Sequence, residues 1–231
     1  MGVSPANGAE REPVGDGADL AKARAHAKKK TLSATERETP RILAWRRRFL
    51  ELAKQLDPTR LVFVDEAGSN IGMTREYARA PCGERVPGLV PRNRGDPTTM
   101  LGALDVRGIR ALMTVEGGTD TDVFEAFLER CLVPKLRPGD IVILDNLGAH
   151  KPERMRQLVT QAGAHLLFLP PYSPDLNPIE LAWSKLKAAL KEFGARTVEA
   201  LQEAIKRAMD LICPADAAAW FTHCGYGAPL K

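Results

Sequence analysis

Leu166–Leu190 reads LLFLPPYSPDLNPIELAWSKLKAAL, and its opening run Leu166 to Leu169 has the length and composition of a buried strand. The run stops at Pro170-Pro171, because proline has no N–H to give a sheet ladder. Asn177-Pro178 then opens a helix: Asn is a good N-cap, Pro is preorganised at the first helical position, and Ile179, Trp183, Leu186 and Leu190 recur at helical spacing. Glu180 falls in the first turn. There it can close a capping box with Asn177 and complement the helix dipole, or it can serve a site.

Two upstream segments favour the site. Asp65 ends the apolar run Leu61-Val62-Phe63-Val64, and Asp145 ends Ile141-Val142-Ile143-Leu144. Each run reads as a buried strand with an aspartate at its carboxyl end. One carboxylate after a strand is often a turn former; the arrangement twice over, with a glutamate on a helix, makes a candidate metal site. Oxygen-only ligands suit Mg²⁺ or Mn²⁺.

Three ordered segments, VFVDEAG at Val62–Gly68, ILDNLGAHK at Ile143–Lys151 and LPPYSPDLNPIELAWSKLK at Leu169–Lys187, with 34 residues between Asp145 and Glu180, resemble the DDE transposases of the mariner superfamily, in the branch carried by bacterial insertion sequences. The resemblance runs from about Lys28 to the end. It implies an α/β, ribonuclease H-like fold, expected here as a mixed five-stranded sheet flanked by helices, with Asp65, Asp145 and Glu180 as catalytic triad. It also implies two divalent ions, Mg²⁺ or Mn²⁺, with Asp65 bridging them and Asp145 and Glu180 holding one each, for DNA cleavage and strand transfer. Glu66 should point to the opposite face of its strand and act at most from behind the ligands. Asn146 and His150 are expected beside the site, as a cap of the following helix or as partners of a metal-bound water. Asp175 competes for the third acidic place, but Ser-Pro-Asp is a turn sequence and the family motif puts the acid at Glu180.

The chain's 231 residues fit one domain with a sizeable core. Its four cysteines form no CxxC pair, which fits a reducing cytoplasm rather than a disulfide framework. Cys213, His223 and Cys224 lack the spacing and the fourth ligand of a zinc site. No apolar run approaches the roughly 20 residues of a membrane span. Net charge of +4 is mild for a nucleic-acid binder.

Residues 1–30, rich in Gly, Ala and charge, read as a flexible tail; 31–60 as a linker helix broken at Asp57-Pro58; and 61–231 as the catalytic domain. Arg46-Arg47-Arg48 on the linker helix suits a solvated face or a phosphate backbone. Ser69–Arg94 reads as a strand or hairpin at the sheet edge, and its Arg75, Arg79, Arg85, Arg92 and Arg94 are candidate DNA-phosphate contacts. Thr98–Asp105 and Ile109–Val115 read as a hairpin turning near Arg107-Gly108, with helices expected over Asp120–Leu132, Pro152–Ala162 and Thr197–Ile212. Relatives by resemblance carry helix-turn-helix domains ahead of the core, for which this sequence shows no match. The expected partners are therefore DNA, a second transposase subunit and an upstream helix-turn-helix polypeptide. The alternative is a catalytically silent remnant that binds DNA or a partner transposase.

Overall fold

The computed structural model describes residues 34–145 and 152–227. Residues 1–33, and with them the expected tail, lie outside the described residues.

The expected five-stranded mixed sheet is present, in the order β3-β2-β1-β4-β5. Its strands are β1 (Leu61–Ser69), β2 (Thr98–Asp105), β3 (Gly108–Glu116), β4 (Ile141–Leu144) and β5 (His165–Phe168). β1 to β3 form an antiparallel meander, while β4 pairs parallel with both β1 and β5. The flanking helices are α1 (Pro40–Ala53), α2 (Thr121–Phe127), α3 (Pro152–Gln161), α4 (Pro178–Phe193), α5 (Val198–Met209) and α6 (Pro214–His223). α2 runs on into a π-helical turn, Leu128–Leu132.

Alternation along β1 divides the core into two layers. Leu61, Phe63 and Ala67 point to one face, where Phe49 of α1, Ile179, Trp183 and Leu186 of α4, Leu201 and Ile205 of α5 and Phe221 of α6 meet them. Val62 and Val64 point to the other, against Phe124, Phe127, Leu132, Met155 and Val159. Phe63, Phe221 and Tyr226 form an aromatic cluster with centroids 4.9 to 6.1 Å apart. Burying side chains of this size contributes about 1.5–3 kcal/mol each.

Two expectations are corrected by this sheet. Asp65 does not end its strand: β4 accompanies β1 only from Leu61 to Val64, but β2 stays paired with it through Ser69. Asp65 thus sits where the parallel neighbour ends and the antiparallel one continues. The edge strand or hairpin expected within Ser69–Arg94 does not form, and no strand lies between Asn70 and Pro97. Pro81, Pro87 and Pro91 deny donors to a ladder, and Gly83 and Gly95 take the left-handed backbone of turns, φ +86° and +63°.

α4 is positioned from both ends. Pro178 stands at its first position, and Gly194 closes it in the left-handed conformation, φ 58°, its N–H bonded to the Leu190 carbonyl at 3.0 Å. The turn before it, Pro174–Leu176, is pinned twice. Tyr226 donates its hydroxyl to the Leu176 carbonyl at 2.6 Å, and Arg46 of α1 grips Asp175 at 2.7 and 3.1 Å and Ser173 Oγ at 2.5 Å. Tyr172, just upstream, has a positive φ of 55°, the only non-glycine residue among those described to do so.

Candidate active site

Asp65, Asp145 and Glu180 reach one end of the sheet by different routes. Asp65 shares its face of β1 with Phe63 and Ala67, the face that α4 covers. β1 and β4 run parallel and in register, with Val64 opposite Leu144, so the next residue on each chain is an aspartate. Glu180 occupies the first turn of α4.

The three carboxylates feel one another. Asp65, half-buried, has its carboxyl pushed up to about 7, first by burial, then by the charge of Glu180 and, more weakly, of Asp145. A hydrogen bond from the Glu66 backbone N–H opposes the shift, as does, more weakly, the neighbouring Trp183 indole. Glu180 is also raised, by burial and by Asp145, against the pull of Lys187.

Asp140, at the opposite end of β4, is the contrast. Burial alone would raise its carboxyl, yet it is held below the usual range by the Arg137 backbone N–H at 2.9 Å and by Arg110. Arg110 Nη1 lies 2.7 Å from Asp140 Oδ2, with Arg137 and Arg60 at 3.3 and 3.6 Å from Oδ1. Buried Asp140 has its charge balanced by arginines, whereas half-buried Asp65 has two further carboxylates beside it. Asp140 is a structural anchor, and Asp65 has the electrostatics of a cation site.

The donor set fits a divalent ion in chemistry: oxygen ligands only, converging on one sheet end, with a charge surplus that a cation would relieve. Among the described residues no group of three or more His, Cys, Asp or Glu side chains is closed tightly enough to hold a metal.

The capping box does not form. Asn177 makes no side-chain cap bond, its buried Oδ1 has no hydrogen-bond partner, and the helix starts on Pro178 and the backbone bond Glu180 N to Asn177 O at 3.1 Å. Glu66 is exposed on the face opposite Asp65, as alternation requires. Asn146 and His150 lie outside the described residues. Arg75, Arg79, Arg85, Arg92 and Arg94 are all exposed on the irregular loop after β1. Arg75 is paired with Glu192 at 2.7 Å.

Two contributors are not apparent in the motifs. Asp175 is no mere turn residue: it takes Arg46 and also Arg37, at 3.0 Å, and ties α1 to the turn that precedes Glu180. Gly102 is paired with Asp65 across β1 and β2, and a Cβ there would lie 2.5 Å from Trp183 Cη2. An isolated glycine inside an apolar strand is the sequence signal of such a close approach.

Solved structures share this architecture. The Mos1 transposase paired-end complex with left transposon end superposes with TM-score 0.66 at 16% identity, covering 90% of this chain and 66% of that one. The paired-end complex of the same mariner transposase with Mn gives the same values. Its isolated catalytic domain gives 0.58 at 15% identity, over 85% of this chain and 93% of that one. The chain thus spans about two thirds of the full transposase's length. No curated protein matches it. The DDE superfamily endonuclease family matches residues 60–202, a span that holds every strand of the sheet and all three carboxylates, and the chain belongs to that family.

Proposed function

We propose that this chain is the catalytic domain of a DDE transposase, of the bacterial insertion-sequence branch, that cuts DNA and joins the liberated 3′ end to a target. The observation that carries the reading is the half-buried Asp65 carboxylate, raised by its burial and by two further carboxylates that parallel pairing and α4 bring to it.

Asp65, Asp145 and Glu180 would hold two divalent ions, Mg²⁺ or Mn²⁺. Such ions supply a water or 3′-hydroxyl made nucleophilic at neutral pH and stabilise charge on the attacking and leaving oxygens. The chain's residues do the positioning. Asp65 sits on β1 just past its doubly paired part, still held by β2, Asp145 follows the strand beside it, and α4 brings Glu180 toward both. The exposed arginines of the loop after β1 suit contacts to backbone phosphates, which orient DNA without reading its sequence. Base readout would come from a helix-turn-helix outside residues 34–227 or on another polypeptide, and two transposon ends would engage two catalytic subunits.

The test is cleavage of inverted-repeat and scrambled duplexes by the full chain with Mg²⁺ or Mn²⁺, beside Asp65→Asn, Asp145→Asn and Glu180→Gln. Each substitution removes a ligand charge with almost no change of shape. Activity is expected to vanish in all three while circular dichroism is unchanged, and metal-free thermal stability should hold or rise as repulsion is relieved. Divalent ions should raise the melting temperature of the parent only. A variant cutting at the parental rate rejects the assignment; a parent that neither cuts nor is stabilised by metal is a silent remnant.

A further inference from the structure

Trp183 is the largest side chain in the core, 2% exposed, and its Nε1 is buried without a completed hydrogen bond. It lies one turn beyond Glu180 on α4, so the helix carries both toward the same strands. The ring reaches β1 and β2 over Gly102, the residue directly across from Asp65. A Cβ at Gly102 would come within 2.5 Å of Cη2 and 2.9 Å of Cζ2, so any larger residue displaces the indole. Asp65 stands directly across from the glycine that the ring covers and faces the same side of the sheet, so its carboxylate lies beside that indole. A buried donor without a finished partner is costly in a core unless it serves a neighbouring group.

We propose that Trp183 is a positioning residue for Asp65: its indole N–H, admitted by the bare backbone of Gly102, holds one carboxylate oxygen in the orientation that lets Asp65 and Glu180 ligate a divalent ion together. The proposal rests on the reading of those two residues as metal ligands, and the indole–carboxylate interaction itself can be tested apart from it.

The full chain is labelled with ¹⁵N at its three tryptophans, and the Trp183 indole signal is assigned by its loss in Trp183→Phe. Asp65→Asn is expected to move that signal and to leave those of Trp45 and Trp220 in place; an unmoved signal overturns the interaction. Mn²⁺ binding is then followed by electron paramagnetic resonance well below the melting temperature. Trp183→Phe keeps an aromatic ring but loses the donor, and is expected to weaken Mn²⁺ binding about tenfold, the low end for residues that orient metal ligands. Gly102→Ala, which keeps the donor but displaces it, should do the same. A tryptophan that merely fills the core would lower the melting temperature of both variants without changing Mn²⁺ affinity, and that result overturns the proposal. If the parent holds Mn²⁺ no better than Asp65→Asn, the metal reading fails and the cation clause with it, while the indole signal still decides whether Trp183 and Asp65 interact.

Discussion

Arg46 and Asp175, 129 residues apart in sequence, form a two-pronged ion pair, Nη2 to Oδ2 at 2.7 Å and Nη1 to Oδ1 at 3.1 Å. Arg46 is mostly buried, Asp175 partly exposed, and Arg37 joins on the solvent side. The pair fixes α1 against the turn that leads into Glu180. Arg46→Ala and Asp175→Asn should each destabilise the protein, and a double-mutant cycle in urea should return a coupling of about 1 kcal/mol, near the top of the range for pairs open to solvent on one side. Additive effects would mean that the two side chains do not act together.

Tyr226 secures the same turn from the other side. Tyr226→Phe retains the packing on Phe63 and Phe221 but leaves the buried Leu176 carbonyl without its donor. The expected cost is about 1–3 kcal/mol, read as a lower denaturation midpoint at unchanged slope. A loss well below that range would show that water replaces the hydroxyl.

Acid sensitivity should concentrate at Asp216. Lys185, at 2.6 Å, and then the backbone N–H and thiol of Cys213 hold its carboxyl down to about 2. A carboxyl depressed in the folded state stabilises above its unfolded value, near 4, and that contribution is lost as pH falls through the folded value. Thermal melts from pH 5 to pH 2 should therefore show a limb that Asp216→Asn flattens, the variant being less stable at pH 5 and nearly equal to the parent at pH 2. Parallel curves would exclude the linkage.

The loop after β1 should bind DNA by charge alone. Replacing Arg79, Arg85 and Arg92 with alanine is expected to weaken binding equally for repeat and scrambled duplexes, and to reduce the slope of log affinity against log salt by about 0.9 for each phosphate that is no longer neutralised. An unchanged slope would place the DNA elsewhere.

What can be read from the sequence follows the range of the forces involved. Three of the five strands announce themselves as short apolar runs, β2 and β3 as a hairpin about Arg107-Gly108, and α4 by Asn-Pro and its periodicity, because these signals are local. The extension of β1 through Glu66–Ser69 is not visible there, since EAGS carries no strand pattern and owes its conformation to β2. In sequence Arg46 is one of three equivalent arginines, although only its position on α1 faces Asp175. Asp175 reads as a turn residue because its partner lies more than half the chain away. The capping box is a sound local inference that the fold overrides, the helix start being held by Pro178 and by the pinned turn before it. Gly102 carries a readable signal, but only the fold shows that the approaching group is Trp183.

The dual pairing of β1 also orders events during synthesis. As the chain leaves the ribosome, β1 can close its meander with β2 and β3 from neighbouring sequence, so Asp65 is lodged early, among nearby hairpin contacts. Asp145 joins once β4 slides in on the other side, and Glu180 arrives only with α4. The hydroxyl that fastens the turn before Glu180 belongs to Tyr226, 50 residues beyond the carbonyl it binds. A chain synthesised only as far as β5 thus has all five strands, but neither the helix that carries Glu180 nor the core layer built on it.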